Sequence, residues 1–124
     1  MRKPRSWWLP LTYKPKIQGV IEGKYRQTIR PGVKYQIGDR IAFHGWEGKP
    51  YRSKWSFRTG FFILKMAINV TVYCRGIGRV AWKDLNYEAA LDGIDPPTGE
   101  ELGRVLRSMH KIPVKGIPFQ ILRW

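Results

Sequence analysis

The longest run of apolar positions in the chain, "FFILKMAINVTVYCRGIGRVAW" at 61–82, predicts strands rather than a helix. Residues with β-branched side chains dominate positions 68–73, and these favour the pleated surface of a sheet. The glycines of "RGIG" would turn the chain between two strands. Shorter apolar stretches predict further strands at 27–30, 40–44 and 117–124. The core is therefore predicted to be mostly sheet.

Helical patterns are concentrated in the last third of the chain. The stretch "PPTGEELGRVLRSMHKIP" carries a capping box, Thr98 and Glu101, ahead of apolar residues that recur on one helical face. A second short helix is predicted within "KDLNYEAALDG", with Gly93 as its stop, and a few helical residues could lie at 17–22. Residues 47–60 are predicted to be a loop, because glycine and proline interrupt them.

Strands outnumber helices in this order, which predicts an α+β fold that is mainly β. A small barrel with helices covering its ends is the economical arrangement, because closure removes the exposed edges of a sheet. The length of 124 residues suits a single domain. We assign that domain to residues 17–124 and interpret residues 1–16 as a basic arm, since the arm's prolines exclude an internal helix or a central strand.

The charge of the chain is strongly positive and unevenly distributed. Lys and Arg number 23 against 9 acidic residues, a formal net charge of +14. Residues 1–60 hold 14 cations and 3 acids, net +11, whereas residues 61–124 hold 9 and 6, net +3. Such a field attracts polyanions, so the first half is the expected surface for RNA, although a basic surface kept for solubility is the alternative. In the arm, Trp7 and Trp8 could stack on bases or could instead cover an edge of the core.

Scarce residue types narrow the possible chemistry. Cys74 is the single cysteine, which excludes an internal disulfide and a multi-thiolate metal site and fits a reducing compartment. His44 and His110 are far apart without a Cys/His cluster near either, so we expect no metal and no cofactor. The apolar runs are shorter than the ~18 residues of a membrane span. The sequence predicts a cytoplasmic protein without a membrane partner.

Two basic segments that also carry aromatic residues form the candidate nucleic-acid interface. They are "GKYRQTIR" at 23–30 and "HGWEGKPYRSKW" at 44–55. Cations would hold phosphates and aromatic faces would stack on bases, as in many single-stranded RNA binders. The alternative is that the rings line the core and the cations only solvate loops. The predicted nucleic-acid-binding residues are Lys24, Tyr25, Arg26, Thr28, Arg30, Trp46, Tyr51, Arg52 and Lys54.

Part of this pattern resembles a known family. The run "LTYKPKIQGVIEGKYRQTIRPG", then "IGDRIAFHGW", and later "ALDGI" followed by a short helix and "IPFQI" are similar to the ASCH family, within the wider PUA-like β-barrel superfamily. The resemblance covers about residues 10–123, and its most specific element is a G-x-K-x-x-T-x-R-like signature. It implies a mixed barrel of about five or six strands with short helices, and a cleft that binds RNA or modified nucleobases.

One branch of that family resembles an amidohydrolase that acts on acetylated cytidine through a Lys, a Thr and a carboxylate. The resemblance places the Thr at Thr28, the trailing Arg at Arg30 and the carboxylate at Asp92, whose simpler interpretation is a surface group at a helix end. Tyr25 stands at the Lys position. A Tyr with a pKa near ~10 is a poorer base than a Lys in a cleft, which weakens the hydrolase mechanism but leaves the binding cleft intact.

The sequence favours a non-enzymatic RNA-binding domain linked to translation or RNA modification, with ribosomal RNA and tRNA as candidate partners. The first alternative is an enzyme with Thr28 and Asp92 as catalytic residues. It would be an amidohydrolase on acetylated cytidine or a related modified nucleoside, or a ribonuclease. The second alternative is a structural protein of a large ribonucleoprotein, which the basic arm suggests.

Overall fold

The fold is α+β and mainly β, as the computed structural model of residues 2–11, 13–46 and 56–124 establishes. The described strands form two sheets, and short helices pack beside them. No closed barrel is found in these three ranges, so barrel closure stays a prediction.

The first sheet is built around one central strand. Its strands are β1 (Ser6–Pro10), β3 (Arg40–Trp46), β4 (Ser56–Arg58) and β5 (Phe62–Ile63). The central strand, β3, pairs in parallel with β1 on one edge and antiparallel with β4 and β5 on the other. The arm residues of β1 therefore form an edge strand, which is where proline is tolerated in a sheet.

The second sheet contains the strands β2 (Gln27–Pro31), β6 (Met66–Tyr73), β7 (Gly76–Ile77), β8 (Val80–Ala81) and β9 (Ile117–Arg123). Their order is β2-β9-β6-β7-β8, with antiparallel pairing throughout. The strands predicted at 27–30, 40–44 and 117–124, and the pair around "RGIG", are confirmed. The predicted loop at 47–60 is wrong at Ser56–Arg58, because pairing with β3 draws that segment into the first sheet as β4.

Three α-helices and a 3₁₀ turn are found in the described ranges: α1 (Lys14–Ile21), the 3₁₀ turn (Trp82–Asp84), α2 (Asn86–Leu91) and α3 (Gly99–Met109). The Thr98 half of the predicted capping box of α3 is confirmed, since Thr98 Oγ1 accepts a hydrogen bond of 3.1 Å from the Glu101 amide. The reciprocal half is not formed, because the Thr98 amide donates to the Pro96 carbonyl and the Glu101 carboxylate accepts from Arg104. Helix α2 ends ahead of Gly93, whose φ of 76° is the left-handed conformation that stops a helix.

Two apolar cores meet along strand β9. Phe119 and Ile121 face the core formed with α2 and α3, while Leu122 and Trp124 belong to the core that contains α1 and β3. Side chains of alternate residues point to opposite faces of a strand, so β9 buries both of its faces. The boundary between the cores is where polar groups can be enclosed by two packed layers.

The N-terminal arm is held to the first sheet by one buried carboxylate. Asp39, at 1% exposure, receives hydrogen bonds from the Arg2 guanidinium at 2.8 and 2.9 Å and from the Arg5 amide at 3.0 Å. The Trp7 indole and the Gln36 amide add bonds of 2.9 and 3.1 Å. Burial would raise the pKa of Asp39, but these donors outweigh it and hold that pKa well below its usual range.

Candidate functional site

A pocket of about 150 Å³ lies where the two cores meet. Helix α1, strand β2, the segment after α2 and the end of α3 each contribute to its walls. The polar and charged residues in its lining are Tyr13, Lys16, Thr28, Arg30, Asp92 and His110. Its apolar lining is Pro10, Leu11, Ile29, Ile94, Val105, Leu106 and Met109. The pocket is thus mostly apolar with a few polar groups, as small-molecule sites usually are.

A buried ion pair forms part of this lining. Lys16 Nζ lies 3.0 Å from Asp92 Oδ1, and the two side chains are only 4% and 9% exposed. Lys16 comes from α1, and Asp92 caps the carboxyl end of α2. Burial lowers the pKa of Lys16 and raises the pKa of Asp92, while their mutual contact opposes both shifts. Such a pair is a costly element of a core, and perturbed pairs of this kind are concentrated at functional sites.

Thr28 and Arg30 reach the pocket from neighbouring positions of β2. Residues two apart on a strand point to the same face, and Arg30 Nε donates a hydrogen bond of 3.1 Å to Thr28 Oγ1. The Arg30 guanidinium also lies 5.8 Å from the centre of the Phe43 ring, a cation–π contact. The Thr28 hydroxyl accepts from Arg30 and keeps its own hydrogen for donation.

The open side of the pocket is marked by its most exposed lining residues. Met109 is 47% exposed, Pro10 is exposed as well, and His110 is half-buried. The His110 ring packs edge-to-face on Phe119, with 5.3 Å between ring centres. Burial, together with the nearby Arg30, lowers the pKa of His110, so its imidazole is neutral at pH 7. A ligand entering from this side meets a neutral ring and a thioether before it meets the charges.

The residues predicted from the signature divide between two places. Thr28, Arg30 and Asp92 are brought together in the pocket, although they lie far apart in sequence. Asp92 is therefore a buried pocket residue rather than a surface carboxylate. A separate depression is lined by Lys24, Tyr25, Arg26, Gln27, Ala90, Leu91, Arg123 and Trp124. Of the second basic segment, Trp46 is the last residue of β3, and Tyr51, Arg52 and Lys54 lie outside the described residues.

Tyr25 has a packing role in its depression. Its ring fills the space beside two glycines: a Cβ built on Gly19 would lie 2.1 Å from Tyr25 Cδ2, and one built on Gly93 would lie 2.8 Å from the same atom. Both glycines therefore allow the ring to lie against α1 and the end of α2. The Lys24 ammonium lies 5.3 Å from the centre of the Tyr25 ring.

Sequence reasoning missed Lys16, the amine that does line the pocket. Its signal was present, because Lys16 and Val20 are four residues apart and so share one face of α1, and Val20 is fully buried. A lysine that interrupts the apolar face of a helix is a candidate for a buried charge. The pattern could not reveal its partner, which lies 76 positions later in the chain.

The described ranges contain neither a cluster of metal-ligand residues nor a long apolar helix. Within residues 2–11, 13–46 and 56–124, no group of three or more His, Cys, Asp or Glu side chains is arranged to hold a metal ion. Among the helices described, none has the length and apolar character needed to cross a membrane.

Comparison with known proteins gives no relative: no family model, no curated protein and no solved structure matches the chain.

Proposed function

We propose that this protein is an RNA-binding domain of the ASCH and PUA-like type, cytoplasmic and linked to translation or RNA modification, whose pocket takes one unpaired nucleobase. The observation that carries the proposal is the pocket shared by Lys16, Thr28, Arg30 and Asp92. Single-stranded RNA is recognised by splaying a base from the strand and bonding its edge. The positive surface of residues 1–60 would hold the phosphates on either side.

The pocket's size selects the kind of base. An apolar cavity of about 150 Å³ is known to accept one benzene ring, so a pocket of about 150 Å³ suits a single-ring pyrimidine better than a purine. Thr28 can donate to a carbonyl oxygen and Asp92 can accept from an exocyclic amine. Arg30 would face a carbonyl or a phosphate oxygen.

Binding of fluorescent ten-nucleotide RNA, with cytidine and adenosine as small competitors, tests the proposal. We expect affinity to fall steeply as salt rises from about 50 to 200 mM, with a log–log slope of about −0.7 for each phosphate contact. Thr28→Val should weaken competition by cytidine, whereas Arg104→Ala, a charge loss on the exposed face of α3, should not. The proposal is wrong if wild type binds no RNA at 50 mM salt.

A second function, hydrolysis of acetylated cytidine, is favoured by one specific observation. Lys16 brings a buried amine of lowered pKa to the same pocket as Thr28 and Asp92. The pocket thus contains the amine, hydroxyl and carboxylate that the hydrolase branch uses, with the amine supplied by Lys16 instead of the position held by Tyr25. An amine of lowered pKa can take the proton of an attacking water or hydroxyl. Water would add to the amide carbon as Lys16 takes one of its protons, and the C–N bond would break as that proton passes to the leaving nitrogen. Cytidine and acetic acid, which ionises to acetate, would leave.

Lys16→Arg separates binding from hydrolysis. A guanidinium keeps the positive charge beside Asp92 but does not lose its proton at neutral pH, so it cannot act as a base. For a binding protein, Lys16→Arg should keep most of the affinity for cytidine. For an enzyme, it should abolish the release of acetate from acetylated cytidine while the substrate still binds. Absence of acetate release by wild type would remove the hydrolase alternative and leave the binding proposal standing.

A further inference from the structure

The two adjacent tryptophans of the arm have different environments. Trp7 donates its indole hydrogen to Asp39 and packs against Tyr35, so it belongs to the core side of the sheet. Trp8 points to the other face and is 51% exposed. Its ring contacts Phe61, itself 45% exposed, at 5.0 Å between centres and an interplanar angle of 63°. Two large aromatic rings thus lie side by side on the surface.

Two arginines flank these rings. The Arg58 guanidinium lies 5.8 Å from the centre of the Trp8 ring, and the Arg40 guanidinium lies 6.0 Å from the centre of the Phe61 ring. Pairing explains the arrangement, because paired residues in a sheet point to the same side. Ser6 pairs with Arg40, and Pro10 pairs with His44, which in turn pairs with Arg58. Trp8 lies between Ser6 and Pro10 on β1, so all these side chains share one face.

We propose that this face, defined by Trp8, Phe61, Arg40 and Arg58, is a stacking platform for single-stranded RNA. Exposed aromatic rings interleaved with cations are the recurring way to hold bases and phosphates of a single strand, and stacking tolerates any base. The charged residues of this face, Arg40 and Arg58, are both cationic. They complement a polyanion and disfavour an apolar partner that carries no acidic groups. The proposal rests on the RNA-binding function above and extends it to a second site.

The platform is close to the pocket along one strand. Pro10 lines the open side of the pocket and lies two residues after Trp8 on β1, a rise of about 6.6 Å on the same face. One RNA strand could therefore place a pyrimidine in the pocket and stack neighbouring bases on Phe61 and Trp8. The platform would supply affinity without base preference, and the pocket would supply the preference.

Binding of a ten-nucleotide uridine RNA and of an abasic oligonucleotide of equal length tests the platform. Trp8→Ala and Phe61→Ala should each weaken binding of the uridine RNA by roughly 5- to 140-fold, the value of one stacked base. Trp8→Phe should retain most of the affinity because it keeps an aromatic face. Tyr87→Ala removes an aromatic ring that is 71% exposed on α2, outside the platform, and should bind as wild type does. The abasic strand should bind wild type and Trp8→Ala alike.

The outcomes separate the platform from the function on which it rests. If wild type binds the uridine RNA while Trp8→Ala and Phe61→Ala bind it equally well, the platform is wrong and the pocket proposal stands. If wild type binds neither RNA nor cytidine, both are wrong. Sedimentation of the same variants completes the test: a wild-type dimer that becomes a monomer in Trp8→Ala, with no change in RNA affinity, would make this face a contact between two copies and overturn the proposal.

Discussion

Removing one partner of the Lys16–Asp92 pair should destabilise the protein more than removing both. The pair is 3.0 Å apart, and both side chains are almost wholly buried. Loss of one partner leaves a buried charge without its counterion, which typically costs about 3–5 kcal/mol of the free energy of unfolding. Replacement of both partners by apolar residues is often neutral or stabilising. We expect Lys16→Met and Asp92→Leu to be strongly destabilised and the double variant to recover most of the loss.

Because of Arg30, Lys16→Met and Asp92→Leu should destabilise the protein by unequal amounts. In Lys16→Met, the Asp92 carboxylate keeps Arg30 as a nearby cation, so the cost should lie near the lower end, about 3 kcal/mol. In Asp92→Leu, Lys16 and Arg30 are two cations that act on each other without the intervening carboxylate. That cost should approach about 5 kcal/mol, because two cations then share the pocket without a counterion.

Urea unfolding at neutral pH of the wild type, both single variants and the double variant measures the coupling. We expect a coupling energy of about 3 kcal/mol or more, with Asp92→Leu the less stable single variant. The Glu101–Arg104 pair on α3, whose Arg104 side chain is 61% exposed, is the matched control, and its cycle should show little coupling because solvent screens the guanidinium. Single losses that simply add in the double variant would refute the reasoning. Retention of cytidine binding by the double variant would show that the pair is not part of the binding site.

Three other changes probe the surrounding structure. Asp39→Asn should lower the free energy of unfolding at pH 7 and weaken its dependence on acid pH, as measured by urea titration. The reason is that a depressed carboxyl pKa stabilises the fold above about pH 3.9, and this stabilisation is lost as the pH falls towards the pKa of Asp39 in the folded state. His110→Gln should flatten the fall in stability below about pH 6.5, because the lowered pKa makes the folded state resist protonation. Tyr25→Ala should cost about 2 kcal/mol in the same assay and Tyr25→Phe much less, since the ring fills the space beside Gly19.

Local chemistry explains what could be predicted from the sequence. The cap of α3 depends on Thr98 and Glu101, three residues apart, so its signal is complete within one turn. Thr28 and Arg30 share a strand, and their common face follows from the period of two. Strand β4 has only three residues and is specified by its pairing with β3, so no local pattern reveals it. Likewise, the partial burial of Trp7 and the exposure of Trp8 depend on which face of β1 packs against the core.

The surroundings of Tyr25 and Lys16 together show which element supplies the amine of the pocket. A tyrosine ring beside Gly19 and Gly93 serves packing, and its depression is separate from the pocket, so this position does not deliver a side chain to the site. Lys16 supplies the amine of the pocket from α1, on the helix face that also carries Val20. The pattern of residues along β2 alone therefore underestimates the pocket, because helix α1 also supplies a charged group to its lining. If the apolar double variant is stable, the fold does not need the buried Lys16–Asp92 pair. A ligand that needs both charges is then the simplest reason for the presence of the pair.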